Sequence, residues 1–171
     1  QKIPPLVPRR WRYEVDERVG ARAEIVEALD HSSTSDLLER LGAENFDAVA
    51  VCLLFAFLHP DHEKTLKRLL EKRYPGIAVS ISSEISPQFR EYERSSTTVV
   101  NAYVMPAIRD LINQLENGIA RQAFRASLQV MQSNGGLMST LETRRFPVRT
   151  LLSGPAGGVV GAVEIARSSG L

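Results

Sequence analysis

Residues 48–55, Ala-Val-Ala-Val-Cys-Leu-Leu-Phe, form a run without one charged or hydroxyl-bearing side chain. A strand that is apolar on both faces needs a cover on both sides, which is the environment of a parallel strand beneath helices. The next residues agree. Pro60 suits a first helical position, and Asp61 and Glu63 put negative charge where a helix N-terminus favours it. Leu66, Leu69, Leu70 and Tyr74 recur at helical spacing, Pro75-Gly76 ends the pattern, and residues 77–81 form a second strand. Strand, helix and strand of these lengths make a crossover unit. The fold class expected is therefore α/β.

Around that unit the pattern is more varied. Residues 1–10 hold Pro4, Pro5 and Pro8 and read as an extended entry. Residues 12–16 and 24–29 suit two strands of one antiparallel pair. A helix is expected from Ser33, with Asp36 three residues on, Leu37, Leu38 and Leu41 facing inward, and Gly42 as a left-handed terminator. From about residue 96 to 118, Val99, Val100, Tyr103, Val104, Ala107, Ile108, Leu111 and Leu115 form an apolar stripe read as core, with Pro106 bending or dividing the helix. Residues 126–131 read as a strand entering a turn at Ser133-Asn134-Gly135-Gly136. Residues 148–152 read as a further strand, and 156–167 as a final helix. A shift in composition across residues 86–94 suggests two parts, 1–92 and 93–171.

Composition narrows the function classes. With 21 basic and 20 acidic residues the net charge is +1, without the basic excess of a nucleic-acid binder. One cysteine, Cys52, permits neither an intrachain disulfide nor a cysteine-based zinc cluster, and suits a reducing, cytoplasmic setting. No apolar run approaches the roughly 18 residues of a membrane span, and the N-terminus has no signal-peptide core. The chain opens at Gln1 without an initiator Met and stops where its final helix finishes. Both ends are expected to be internal to a longer protein.

The most distinctive segment is 151–162, Leu-Leu-Ser-Gly-Pro-Ala-Gly-Gly-Val-Val-Gly-Ala. It reads as a tight glycine turn and a helix whose first turn is nearly bare, so its backbone N–H groups could hold a phosphate or carboxylate. The alternative is close packing, since Gly154 and Gly158, like Gly157 and Gly161, are four residues apart. No Lys follows the glycines as in a Walker A loop, and the Rossmann spacing is missing. Ser153, Gly154, Gly157 and Gly158 are candidate cofactor-binding residues. Asn134 and Gly135 join them, because a turn with side-chain amides, a hydroxyl and two glycines can line a cleft as readily as it closes a hairpin.

Residues 151–162 resemble the signature of the hydantoinase A/oxoprolinase family. So do Ala50 to Phe55, Ser82-Ser83-Glu84-Ile85-Ser86-Pro87, residues 90–103 (Arg-Glu-Tyr-Glu-Arg-Ser-Ser-Thr-Thr-Val-Val-Asn-Ala-Tyr), and residues 131–138 (Met-Gln-Ser-Asn-Gly-Gly-Leu-Met). Five stretches in register cover most of the chain. The resemblance implies part of an actin-like, sugar-kinase/Hsp70-like ATPase fold. Residues 1–92 would end an N-terminal lobe, and 93–171 would begin the hydantoinase A lobe. It implies ATP and Mg as cofactors, a small cyclic amide such as hydantoin or 5-oxoproline as substrate, and a hydantoinase B-like subunit or domain as partner. A homo-oligomer is possible. The helix over 156–167 would connect the lobes. The family's Asp- and Gly-rich phosphate loops have no match here, so the chain alone is expected to be inactive, with no catalytic residue assigned.

Other candidates are read as structural. His59 and His62 lack a third ligand and are taken as surface or capping residues, so no metal ligand is assigned. Cys52 is read as a buried, inert thiol. Glu84, Glu91 and Glu93 are read as partners of Arg90 and Arg94 or as helix-start charges. Two rival readings stand beside the enzyme: a non-catalytic interaction module derived from the family, and an unrelated nucleotide- or small-ligand-binding α/β domain resting on the glycine turn alone.

Overall fold

A computed structural model describes residues 4–122 and 127–170. It divides into two compact units, residues 1–103 and 104–171.

The first unit is built on the crossover. Strands β3 (Ala48–Val51) and β4 (Ala78–Ile81) pair in parallel, Ala48 opposite Ala78 through Val51 opposite Ile81, with helix α2 (Asp61–Arg73) between them in sequence. The α/β expectation holds. β4, though, is the strand buried along its whole length, whereas β3 is half-buried at three of four positions. β3 pairs only with β4 among the described residues, so one edge carries no further strand. The strand stops at Val51, and Leu53 to Phe55 turn away, Phe55 adopting a left-handed φ of 53°. Leu29, Leu41, Leu66, Leu70, Val79 and Ile81 form the core, with Leu37, Leu38 and Tyr74 packed against it. Burying each large aliphatic side chain contributes about 1.5–3 kcal/mol.

Several boundaries differ from expectation for local reasons. β2 (Ile25–Glu27) pairs antiparallel with β1 (Arg18–Val19), not with residues 12–16. The tight turn at Gly20, closed by its N–H to the Glu24 carbonyl at 2.8 Å, obliges the immediately flanking residues to pair. Tyr13 and Val15 instead pack on the core. Helix α1 (His31–Ala43) starts earlier than Ser33 because the Asp30 carboxylate accepts from the Ser33 N–H at 2.6 Å and so caps it. Gly42 lies inside α1 without a left-handed φ; its role is clearance for Tyr74.

Helix α4 (Glu91–Arg121) has 31 residues, starts before residue 96, and carries Pro106 in its interior without breaking. Its apolar stripe is not the core. Tyr103 is 82% exposed and Leu111 48%, while the buried side comprises Arg94, Thr98, Asn101, Ala102, Met105 and Ile112. The burial face is rotated because its N-terminal half packs through polar groups. Asn101 Nδ2 donates to Ser80 Oγ at 3.1 Å, and Arg94 Nη1 to Ser82 Oγ at 3.1 Å.

In the second unit, β5 (Gln129–Met131) and β6 (Leu137–Ser139) form an antiparallel hairpin followed by α5 (Thr140–Arg145). Of the strand expected over 126–131, residue 126 lies outside the described residues. Ser139 caps α5 in a reciprocal box with Glu142. Residues 148–152 are not a strand: Pro147–Thr150 is a 3-10 turn, as a proline with fixed φ and no N–H favours. Helix α6 (Ser153–Ser168) then follows, so Pro155 is its third residue rather than its first. Arg144 donates to Glu116 and Asn113, tying α5 to α4, and its hydrogen bond holds the Glu116 carboxyl below the usual carboxylate range.

Candidate functional site

The turn between β5 and β6 is closed by its own polar groups. The Gln132 N–H donates to the Gly136 carbonyl at 2.8 Å, and the Gly135 N–H to the Gln132 carbonyl at 3.0 Å. Gly135 has φ 84°, where glycine carries little strain. Asn134 Oδ1 accepts from the Gly136 N–H at 2.9 Å, so that oxygen is engaged within the turn.

Ser133 carries the turn to the entrance of α6. Its N–H and Oγ donate to the Arg149 carbonyl at 2.7 and 2.8 Å. The same Oγ accepts from the Leu152 N–H at 3.0 Å. Because Leu152 is the residue before α6, one hydroxyl fixes the helix start against the hairpin. No side chain caps α6, and its first turn is Ser153, Gly154, Pro155 and Ala156. Exposed helix-start N–H groups together with the helix dipole favour an anion. The guanidinium groups of Arg145 and Arg149 lie 5.0 and 4.6 Å from the Phe146 ring.

The glycines sort into two sets. A side chain on Gly157 would begin 3.0 Å from Met131 Sδ, and one on Gly135 would begin 3.1 Å from Val160 Cγ2. Gly154, Gly158 and Gly161 meet nothing within 4 Å. The structure thus brings Gly135 and Gly157 to one hairpin–helix contact, with Asn134 bonded inside the same turn, while Gly154 and Gly158 look onto an open helix face. Ser133 lay within the turn read from sequence, but its bridging role depends on the Arg149 carbonyl, sixteen residues away, which no local spacing announces.

His62 is buried, with Nδ1 2.7 Å from Glu17 Oε2, and is neither a surface nor a capping residue. His59 Nε2 lies 3.8 Å from Asp61. Among the described residues, no three or more His, Cys, Asp and Glu side chains are grouped as ligands of a metal ion. Cys52 sits beside Glu63, and burial, reinforced by that carboxylate, pushes its thiol up to about 11, which keeps it protonated and unreactive. Glu84 pairs with Lys67 at 2.8 Å and Glu93 with Arg90 at 3.6 Å. Arg94 turns inward to Ser82 instead of to a neighbouring carboxylate.

No helix among the described residues is long and apolar enough to cross a membrane. Over 98% of its length the chain superposes on an ATP-dependent caprolactamase from Pseudomonas jessenii with a TM-score of 0.88 at 28% identity, occupying 24% of that chain. It superposes over 99% on nucleotide-free acetone carboxylase with a TM-score of 0.84 at 27% identity, again 24% of that chain. The fold is thus a mixed α/β segment shared with ATP-dependent enzymes. Residues 94–171 match Hydantoinase/oxoprolinase and residues 2–74 match Hydantoinase/oxoprolinase N-terminal region, and the chain belongs to that family. An uncharacterised protein of Methanocaldococcus jannaschii is 32% identical over 94% of this chain and 24% of its own length. The 5-oxoprolinase of Saccharomyces cerevisiae is 33% identical over 83% of this chain and 11% of its own. The acetone carboxylase beta subunit of Xanthobacter autotrophicus is 28% identical over 93% and 22%. The chain spans about a quarter or less of these relatives.

Proposed function

We propose that this chain is a structural part of an ATP-dependent amidohydrolase that opens a small cyclic amide of the hydantoin or 5-oxoproline type. Residues 1–92 would close the N-terminal lobe, and 93–171 would begin the hydantoinase A lobe. Ser153, Gly154, Gly157 and Gly158, with Asn134 and Gly135, would border the nucleotide, ATP with Mg, at the uncapped start of α6. The parent would act in the cytoplasm with a hydantoinase B-like subunit. That partner reading draws support from relatives named as subunits, the caprolactamase alpha and acetone carboxylase beta chains. The catalytic acids would come from elsewhere in the parent, and the 171-residue chain alone would not turn over substrate.

The observation that carries this reading is the Ser133 bridge, which fastens a glycine turn to a helix start that no side chain caps. The test is Mg-ATP affinity in a parent-length protein. Gly154→Val and Gly158→Val, both at positions that meet nothing within 4 Å, should weaken binding at least about tenfold while leaving the fold intact. Unchanged affinity in both variants would reject the placement. Calorimetry on the isolated chain should show no tight Mg-ATP binding.

A further inference from the structure

Among the described residues, three buried side-chain atoms lack a hydrogen-bond partner: His59 Nδ1, Ser83 Oγ and Arg94 Nε. The first two belong to segments at the carboxyl ends of β3 and β4, and Arg94, on α4, bonds to the second of these. His59 ends the loop that follows β3, Ser83 lies in the short helix α3 (Ser82–Ile85) that follows β4, and Arg94 donates to Ser82. In α/β sheets this is the edge where ligands bind.

The charges here are already balanced. Glu63, with no exposed surface, accepts from the Leu53 N–H at 2.9 Å, Ser82 Oγ at 2.6 Å and the Ser83 N–H at 2.8 Å. Ser82 has one hydroxyl proton and gives it to Glu63, so its oxygen is free to accept from Arg94 Nη1. Arg94 and Glu63 therefore neutralise each other through Ser82. The guanidinium also lies 5.5 Å from the Phe57 ring. Its Nε–H, in a residue only 2% exposed, is left without an acceptor. Such a buried donor carries an unrecovered desolvation cost until an acceptor reaches it. In the loop after β3, Phe55, whose ring lies 6.2 Å from that of Phe57, holds the left-handed φ of 53°, a conformation rare for a bulky residue and found at ligand clamps.

We propose that Arg94 Nε and Ser83 Oγ are the donors of a binding site for a neutral carbonyl oxygen, such as that of a small amide, beneath the 52–60 loop. A carboxylate is the wrong ligand because Glu63 already supplies the negative charge that Arg94 requires, and a second anion would be buried without compensation. All the residues involved lie within 1–103, so the site stands independently of the nucleotide reading for α6.

The test is titration of the isotopically labelled chain with acetamide and, separately, with acetate, following the Arg94 Nε–Hε and Ser83 amide resonances. Acetamide should shift both saturably and acetate neither. Ser83→Ala removes a hydroxyl that bonds nothing in the fold, and should weaken acetamide binding about fivefold. Arg94→Lys should abolish the response at the Ser83 amide. Resonances that stay still up to high acetamide, an undiminished response in Ser83→Ala, or an equal response to acetate would each overturn the proposal.

Discussion

The sulfur of Met131 lies 3.0 Å from the point where a side chain on Gly157 would begin, so β5 meets the bare backbone of α6. Gly158, the next residue, meets nothing. Gly158→Ala should therefore stabilise the chain by about 0.5–1 kcal/mol through helix propensity alone. Gly157→Ala should gain less, because Met131 must shift, and Gly157→Val should destabilise. Thermal unfolding of the three variants checks the order.

Gly42 provides the same kind of clearance in the first unit. A Cβ there would fall 2.5 Å from the hydroxyl oxygen of Tyr74, which donates to the Leu38 carbonyl. Gly42→Ala should cost about 1–3 kcal/mol, since the displaced Tyr74 hydroxyl loses its acceptor and becomes a partly buried, unpaired donor. If urea denaturation shows it as stable as the parent sequence, α1 and Tyr74 are not in this register.

Glu63 is the acceptor on which three donors converge. Glu63→Gln keeps the shape, but sets an amide N–H₂ against one of those donors and strips Arg94 of its counter-charge. A loss of about 3–5 kcal/mol is expected, the range for breaking a buried ion pair from one side. Measurement of the urea midpoint and slope decides it.

Cys52 sets a pH dependence. Its folded-state thiol is raised from the ordinary value of 9.0 to about 11, chiefly by burial. The folded chain thus holds this proton more tightly than the unfolded one. The associated stability is fully present below pH 9 and is lost as pH rises from about 9 to 11. Cys52→Ala should remove that part of the alkaline decline, and a thiol reagent at pH 8 should modify the native chain far more slowly than the unfolded chain.

Asp30 titrates in the opposite sense. The Ser33 backbone hydrogen bond lowers its carboxyl below the ordinary value of 3.8. The cap's contribution is present above that value and lost as pH falls through the lower folded-state value. Asp30→Asn, an equally good cap without the charge, should flatten the acid limb of the stability curve below pH 4.

The crossover was legible because its signals are local and mutually consistent: an apolar run, a helix with leucines at 66, 69 and 70, a Pro-Gly stop, and a second apolar run. The glycine turn and the helix after it were equally readable. The α4 stripe misled because periodicity finds an apolar face, whereas burial depends on what packs there, and the packed face carries Arg94, Thr98 and Asn101. The strand expected over 148–152 failed because Pro147, with fixed φ and no N–H, opens a 3-10 turn that runs through Thr150.

By itself the sequence determined most element types, the parallel pair and the family resemblance, since propensity, periodicity and short motifs act over a few neighbouring residues. Only the tertiary structure decided which face of α4 is buried, that Ser133 fastens the hairpin to the entrance of α6, and that Glu63, Ser82 and Arg94 form one buried polar chain. Those facts depend on hydrogen bonds between residues 12 to 19 positions apart, whose worth arises only when folding removes water from both partners at once.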